Sequence, residues 1–399
     1  MRRNTVATAP APGRLRSALS VALAALLLCL GALPPASRAA PAERAARALD
    51  PALVASLERA LAGVSRNQSV PGVAVAVSVP GYQTWHGTRG LADRRQGAPV
   101  EPAHRFRIGS LSKLFVATVA MQLVEEGTLD LNAPIGMWMP GVVPAADRMS
   151  LRQVMNHTSG LNDYLDNPFM RRVLQNPRRV WAPTELVAVA VERGPYFQPG
   201  ARGRWRYSNT DYVLLGMLIE KVTGNSLAEE VHQRVIDRLG LRNTFVVPDD
   251  RVTGPLMRGY AGNGDWTDLH PSFAWGAGNI VSTVDDLTVF GQALFEGRLM
   301  SRRSLASMLT FVDAGSSFGL RGLEYGLGVM RYRMPVGRGH SASATLALGH
   351  IGGIGGYRAA LWYLPESKIT IVAGFNEANV DPAPLPNEVL RAILDHQGR

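Results

Sequence analysis

The chain has 399 residues, of which 46% are hydrophobic and 19% are charged. It is long enough to bury a large core, and its composition excludes a peptide hormone, a disulfide-stapled miniprotein and a disordered tail. The formal net charge of +10 could indicate a nucleic acid as a partner. The positive charges are dispersed arginines without an RNA-binding motif, so we expect no nucleic-acid role.

The first 40 residues predict a secretory signal peptide. They carry five arginines and no acid, which leaves a charge of +5 on the rest of the chain. An apolar run of about fifteen residues from Leu19 to Leu33 is too short to span a bilayer, and prolines and small residues follow it. We therefore expect a secreted or periplasmic protein without a stable membrane anchor. The only cysteine, Cys29, lies in this leader, so thiol chemistry is excluded from the mature chain.

Residues 41–399 predict one α/β (α+β) domain built on an antiparallel sheet. Leucines spaced by four at 49–61 predict a helix, and alternating valines at 73–79 followed by 82–87 predict a β-hairpin. A second hairpin at 357–364 and 369–376 precedes a helical pattern at 388–394. These ends fit one sheet, formed by about 49–105 and 320–399 and flanked by both terminal helices. A mainly helical insertion fills about 106–319, with helices predicted at 114–125, 184–193, 210–223, 228–239 and 284–294.

Ser110 and Lys113 form the first candidate catalytic pair. They lie three residues apart where a helical pattern begins, so both side chains project from one side of its first turn. A serine hydroxyl attacks an acyl carbon only when a base removes its proton, and a lysine held out of water can be that base. The same residues also fit a serine helix cap followed by a solvated lysine.

Tyr207 and Asn209 form a second candidate pair, immediately before a predicted helix. In an extended stretch, residues two apart point to the same side, so both can face one cavity. A phenol can relay a proton and an amide can bind a substrate carbonyl. Taken by itself, the tripeptide favours an asparagine helix cap beside a packed tyrosine.

His350, Gly352 and Gly353 begin a predicted C-terminal strand. Glycines weaken a strand, but they let another group approach the backbone closely. A substrate along this edge would meet exposed N–H groups. The N–H of Gly353 could then act with that of Ser110 to hold an oxyanion.

The order of these three segments resembles the serine β-lactamase and penicillin-binding superfamily. The most similar branch contains D-alanyl-D-alanine carboxypeptidases, class C β-lactamases and related esterases. The resemblance covers about residues 53–394, and it includes segments 156–161 and 277–283, which we interpret as structural connections. It implies hydrolysis through an acylated serine, without a metal or another cofactor. The implied roles are nucleophile for Ser110, partner base for Lys113, proton transfer for Tyr207, and substrate binding for Asn209, His350, Gly352 and Gly353.

Ile351 departs from the pattern of this superfamily. A Thr or Ser at this position can hydrogen-bond the carboxylate of a peptide or β-lactam, and Ile cannot. The leading expectation is a D-alanyl-D-alanine carboxypeptidase or a β-lactamase-like hydrolase, acting on a D-Ala-D-Ala peptide or a β-lactam. A carboxylesterase is the close alternative. A protein that binds cell-wall peptide or penicillin without catalysis is the third, although a pure binder needs neither Lys113 nor Tyr207.

Two other kinds of catalytic site are weaker alternatives. Residues 315–319 match G-x-S-x-G and would make Ser317 the nucleophile, but that motif requires a preceding strand and a following helix. Apolar residues at 305–312 instead predict a helix before Ser317. The eight histidines are scattered without the paired spacing of a zinc protease, so no metal site is expected.

Overall fold

The structure is a computed structural model that describes residues 46–336 and 344–398. The predicted signal peptide and Cys29 lie outside these residues. Within the two described ranges, no helix is both long and apolar enough to cross a membrane. The strands are β1 (Gly72–Ser78), β2 (Trp85–Asp93), β3 (Ala98–Pro99), β4 (Phe106–Arg107), β5 (Phe245–Val246), β6 (Tyr260–Ala261), β7 (Gly264–Asp265), β8 (Ile280–Ser282), β9 (Val312–Gly315), β10 (Leu323–Tyr325), β11 (Met330–Pro335), β12 (Ala344–Ile354), β13 (Tyr357–Leu364) and β14 (Ile369–Phe375).

The helices lie at both ends of the described chain and throughout its middle. They are α1 (Pro51–Asn67), α2 (Ser112–Glu125), α3 (Leu151–Met155), α4 (Asn167–Gln175), α5 (Pro183–Glu192), α6 (Asn209–Thr223), α7 (Leu227–Val231), α8 (Asp237–Leu239), α9 (Val284–Phe295), α10 (Arg302–Met308) and α11 (Pro384–His396). A π-helical turn, His232–Ile236, joins α7 to α8. The helix predicted at 228–239 is therefore interrupted, whereas the others predicted in the insertion agree to within two residues.

A nine-stranded antiparallel sheet brings the two ends of the domain together. Its strand order is β3-β2-β1-β14-β13-β12-β11-β10-β9, and β1 pairs with β14 from Val73 opposite Phe375 to Ser78 opposite Thr370. The predicted class, an antiparallel sheet with flanking helices and a helical insertion, is confirmed. Because other elements pack against both sides of the sheet here, both faces of β1 and β14 are buried.

The two faces of the sheet pack against different helices. Along β1, Val73 and Val75 point to one face and pack in a cluster that contains Leu57 of α1 and Val389 of α11. Ala74 points to the other face, into the larger cluster formed with the helical insertion. This alternation follows from the two-residue period of a strand. The sheet is thus a layer between the terminal helices and the insertion.

One predicted helix is shorter in the structure than its apolar pattern suggested. The pattern at 305–312 predicted a helix up to Val312, but α10 ends at Met308 and Val312 begins β9. Val312 pairs with Tyr325 of β10, so a contact between residues distant in sequence overrides the local helical period.

The edge of β12 is open near its C-terminal end. Strand β11 pairs with β12 only as far as Met330 opposite Gly349, while β13 continues along the other edge to Ile354. Residues 350–354 therefore have a strand neighbour on one side only. The turn that precedes α2 packs against this part of β12, which places Ser110 beside the open edge.

Candidate active site

Ser110 lies in a 3-10 turn, Gly109–Leu111, that runs directly into α2. Gly109 has a φ of 53°, and a Cβ at this position would lie 2.7 Å from the backbone nitrogen of Gly353. Only glycine accepts both this left-handed conformation and the close approach to β12 without strain. The turn thereby brings the Ser110 hydroxyl next to the backbone of Gly353.

Lys113 is fully buried directly behind Ser110. Its ammonium group donates to Ser110 Oγ at 3.1 Å, to Asn209 Oδ1 at 2.8 Å and to the Ala277 carbonyl at 2.7 Å. Burial lowers the pKa of Lys113 from 10.5 to about 7, although the nearby Asp163 carboxylate partly opposes this shift. A large fraction of the amine is therefore neutral near pH 7, which is the form that can accept a proton.

Tyr207 and Asn209 both reach the same site from the start of α6. Ser208 between them has extended backbone angles, φ −142° and ψ 122°, so its two neighbours point the same way. The Lys113 Nζ atom lies 5.0 Å from the centre of the Tyr207 ring. Burial raises the pKa of Tyr207, a rise that the neighbouring Ser110 side chain partly opposes. Among the described residues, no partner meets hydrogen-bond geometry with the Tyr207 hydroxyl.

His350 is fully buried and has both ring nitrogens engaged within the protein. Its Nδ1 lies 2.5 Å from the Ile351 carbonyl oxygen, which can only accept, so Nδ1 carries the proton. In the neutral ring, Nε2 then accepts from the Tyr325 hydroxyl at 2.9 Å. Burial, followed by the charge of Lys113, lowers the pKa of His350 to about 3. The imidazole is neutral at pH 7, so it does not supply a cation to the site.

The open edge of β12 forms one wall of the site. A Cβ at Gly352 would lie 2.0 Å from the carbonyl oxygen of Ile108, so this position requires glycine for the nucleophile turn to pack against the strand. Ile351 points to the opposite face and is half-buried. The wall combines a bare backbone edge with an apolar side chain.

A cavity of about 400 Å³ gathers these groups. It is lined by Ser110, Tyr207, Asn209, His350, Gly352 and Gly353, with Lys113 buried behind Ser110. All seven residues predicted for the site therefore lie in one place, while their catalytic and binding roles stay predictions. Across residues 46–336 and 344–398, the cavity included, no group of three or more His, Cys, Asp or Glu side chains is arranged to hold a metal ion.

Asp163 is a residue of the site that the sequence did not reveal. It is half-buried in the cavity wall, and its Oδ2 accepts from Asn209 Nδ2 at 3.0 Å. Its Oδ1 accepts from the backbone N–H groups of Asn209 and Leu165. Burial raises the pKa of Asp163, while these hydrogen bonds and the charge of Lys113 oppose the rise. It follows segment 156–161, whose sequence predicts a structural connection, and only the folded chain brings it to Asn209.

A second buried polar pair lies behind Tyr207. His157 Nδ1 is 2.8 Å from Asp211 Oδ2, and Ser159 Oγ donates to Asp211 Oδ1 at 2.6 Å. His157 has a φ of 62°, and its ring centre lies 4.4 Å from that of Tyr207. Burial lowers the pKa of His157 and raises that of Asp211. Segment 156–161 thus supports the Tyr207 ring from behind.

The alternative nucleophile Ser317 has a different setting. Strand β9 precedes it, but a 3-10 turn, Ser317–Gly319, and then β10 follow instead of a helix. The Ser317 hydroxyl donates to the Ala314 carbonyl at 2.7 Å. Of this segment, Phe318 lines the cavity, with its ring centre 5.0 Å from that of Tyr207. The segment therefore contributes to the cavity wall, without the strand-to-helix turn that the motif needs.

Comparisons with known proteins identify the family and the fold of this chain. A profile of the Beta-lactamase family matches residues 54–394. Penicillin-binding protein 4* of Bacillus subtilis (strain 168) is 26% identical over 72% of this chain and 64% of its own length. A D-aminopeptidase of Brucella anthropi is 26% identical over 81% of this chain and 59% of its own length. The chain thus spans about three fifths of the length of the curated relatives that it matches.

Two solved structures match the fold over nearly their whole length. A D-stereospecific amidohydrolase from Streptomyces sp. is 34% identical, with a TM-score of 0.72, covering 86% of this chain and 97% of its own. A D-amino acid amidase from Ochrobactrum anthropi SV3, solved in complex with L-phenylalanine amide, is 28% identical, with a TM-score of 0.76. That match covers 86% of this chain and 99% of the amidase.

Proposed function

Because the chain belongs to the Beta-lactamase family, we propose that it is a serine hydrolase that cleaves amide bonds of D-amino acid derivatives through an acyl-enzyme on Ser110. The observation that carries this proposal is the hydrogen bond of 3.1 Å between the Ser110 hydroxyl and the fully buried amine of Lys113. The D-amino acid preference draws support from the amidohydrolase and amidase that share the fold. We also propose that the protein acts after export, in the periplasm or outside the cell.

The first step of the proposed reaction uses Lys113 as the base. Its neutral amine accepts the Ser110 proton while Oγ bonds to the substrate carbonyl carbon, and the carbonyl oxygen becomes an oxyanion. The backbone N–H groups of Ser110 and Gly353 hold this oxyanion. Tyr207 is the weaker candidate for this base because burial raises the pKa of its phenol, which stays protonated near pH 7.

The second step releases the amine and frees the enzyme. The C–N bond breaks as the leaving nitrogen takes a proton, which passes from Lys113 through the Tyr207 hydroxyl. Water then attacks the acyl carbon and gives one proton back to Ser110, which releases the carboxylic acid. The buried Tyr207 hydroxyl has no hydrogen-bond partner among residues 46–336 and 344–398, so no protein group competes for it during this transfer.

Asp163 supports a substrate with a free amino group. Its carboxylate lies in the cavity wall and holds Asn209, which in turn accepts from Lys113. Its Oδ2 has a single hydrogen bond from protein groups in the described chain, so it retains capacity to accept from a substrate ammonium. We propose that the acyl side of the substrate lies at this carboxylate, because an amino acid amide carries its ammonium on that side of the cleaved bond.

Residues 350 and 351 of β12 lack the groups expected to bind the carboxylate of a carboxypeptidase or β-lactamase substrate. His350 is neutral and Ile351 has no hydroxyl, so neither gives a carboxylate a direct partner. Together with Asp163, which can meet a free amino group on the substrate, this favours an amidase over the D-alanyl-D-alanine carboxypeptidase and the β-lactamase. Carboxylesterase activity, the close alternative, fits this site as a side activity, because the same acyl-enzyme can form from an ester.

The proposal is tested by comparing turnover of matched substrates by the protein. We expect hydrolysis of D-phenylalanine amide to exceed that of L-phenylalanine amide by about 10- to 100-fold, in line with the D-specific enzymes that share the fold. We expect the same margin over N-acetyl-D-phenylalanine amide, because N-acetylation removes a charge-assisted contact with Asp163. Nitrocefin, an N-acylated D-Ala-D-Ala peptide and a p-nitrophenyl ester complete the panel. Faster turnover of nitrocefin or the N-acylated peptide than of any D-amino acid amide would reject the proposal.

Replacing Asp163 by Asn should weaken recognition of the amino group. We expect kcat/KM for D-phenylalanine amide to fall about 10- to 100-fold, because a neutral amide replaces the carboxylate that meets the ammonium. Turnover of the p-nitrophenyl ester should fall much less. Since the Asp163 carboxylate raises the pKa of Lys113, the rise of ester turnover with pH should also move to lower pH. A purely structural effect would not move this profile.

Asp166→Asn is the matched control, because Asp166 caps α4 and does not line the cavity. Asparagine is also a good N-cap, so stability should change little. Equal losses on the amide and the ester in Asp163→Asn, with an unmoved pH profile, would reject the ammonium-binding role.

A further inference from the structure

Arg358 places a positive charge in the cavity, beside the glycine predicted to hold the oxyanion. It lies on β13 opposite Gly353 of β12, and side chains of opposite residues project to the same face. A Cβ at Gly353 would lie 2.1 Å from Arg358 Nη1, so the guanidinium extends across this glycine. Arg358 lines the same cavity as Ser110 and Asp163.

The guanidinium has no close counter-charge within the described part of the chain. No carboxylate there lies within 4.0 Å of it. Glu377 and Asp381 act on it only at longer range. Glu377 accepts from the Gly262 N–H at 3.2 Å, and Asp381 accepts from the Ala383 N–H at 3.0 Å. A half-buried cation that faces a cavity without an ion-pair partner is suited to bind an anion that enters the cavity.

The cavity thus has charges of opposite sign on two walls. Asp163 belongs to the helical insertion, and Arg358 belongs to the sheet. Ser110 lies against the β12 edge, which forms part of the sheet wall. A ligand that carries both an ammonium and a carboxylate can place one group on each wall, with its carbonyl carbon near the serine.

We propose that Arg358 binds a carboxylate of the substrate, and that the preferred substrates are D-amino acid amides or D-peptides with both a free amino group and a carboxylate. This rests on the proposed amidase function. It assigns to β13 the carboxylate recognition that His350 and Ile351 do not supply. The carboxylate belongs either to the leaving group, as in a D-dipeptide, or to the acyl side chain, as in D-glutamic acid α-amide.

Two matched substrate pairs separate these sources. D-Phe-D-Ala and its C-terminal amide differ only by a leaving-group carboxylate, and D-glutamic acid α-amide and D-glutamine amide differ only by an acyl-side carboxylate. We expect the wild-type chain to prefer the carboxylate member of one pair by about 10- to 100-fold in kcat/KM. Arg358→Gln should abolish that preference. Arg358→Lys, which keeps the charge without the planar fork, should retain part of it.

Arg333→Gln is the matched control, because Arg333 is exposed on β11 and does not line the cavity. It should leave all four rates unchanged. The carboxylate proposal is overturned when Arg358→Gln slows both members of each pair equally, or when neither pair shows a preference in the wild type. An equal loss would instead assign Arg358 to folding or to the oxyanion, and thermal unfolding of both variants separates these two.

Failure of the amidase function gives a different result from failure of the carboxylate proposal. In the first case the wild type does not hydrolyse D-phenylalanine amide at all. Titration calorimetry with the Ser110→Ala chain then measures binding of D-Phe-D-Ala without turnover. Weaker binding after a further Arg358→Gln change supports the carboxylate contact by itself, and unchanged binding or no binding contradicts it.

Discussion

Ser110→Ala is expected to abolish hydrolysis of every substrate of the chain, with a loss of at least about four orders of magnitude in kcat. The hydroxyl oxygen is the atom that forms the bond to the acyl carbon, and no backbone group can replace it. The neighbouring Ser112 hydroxyl is fully buried and accepts the Ile280 N–H at 3.1 Å, so it faces away from the cavity. Steady-state rates on D-phenylalanine amide and the p-nitrophenyl ester measure this loss.

The variant should remain folded. Ser110 is half-buried, and within the described structure its side chain accepts one hydrogen bond, from Lys113. Its removal should therefore change the free energy of unfolding by no more than about 1 kcal/mol. Ser317→Ala is the matched control and should keep full activity. Wild-type rates in Ser110→Ala, or loss of activity in Ser317→Ala, would show that the nucleophile has been assigned to the wrong serine.

Lys113→Met should slow acylation by about 10²- to 10⁴-fold, because methionine fills a similar volume but cannot accept the Ser110 proton. In the wild type, the free amine of Lys113 increases as pH rises through its pKa of about 7. Acylation should therefore rise about tenfold per pH unit below pH 7 and level off above it. The variant should lose this step in its pH profile. Single-turnover measurements of product release between pH 5 and 9 give both results.

Lys221→Met provides the control for removal of a lysine, because Lys221 is exposed on α6. It should leave the rate and the pH profile unchanged. Lys113→Met leaves Asn209 Oδ1 and the Ala277 carbonyl without their donor, so its thermal unfolding is measured alongside. A folded Lys113→Met variant that retains the wild-type rate and the inflection near pH 7 would rule out Lys113 as the base.

Local sequence patterns predicted the ends of the fold and the members of the candidate site. The two-residue period at Val73–Val79 identified β1, because alternate residues of a strand point to opposite faces, here valines to one face and alanines to the other. Ser110 and Lys113 were found because helical spacing puts residues three apart on one side. Tyr207 and Asn209 were found because extended backbone at Ser208 aligns its neighbours. In each case the relevant geometry is set by residues close together in the chain.

Features that depend on distant contacts were not predicted. Asp163 reaches Asn209 across 46 residues, and Arg358 reaches the cavity only because β13 pairs with β12. The neutral state of His350 depends on its burial and on Tyr325, which no local pattern reports. The strand at Val312 forms by pairing with Tyr325 against the local helical period. Long-range packing, rather than spacing, decides these features.

The position of a covalent adduct tests the central claim most directly. The wild-type chain is incubated at pH 8 with a fluorophosphonate, digested, and analysed by tandem mass spectrometry, with Lys113→Met treated in parallel. The account predicts one modified residue, Ser110, with labelling much slower in the lysine variant. An adduct on Ser317 or on any other residue, or equal labelling rates in the two chains, would contradict it.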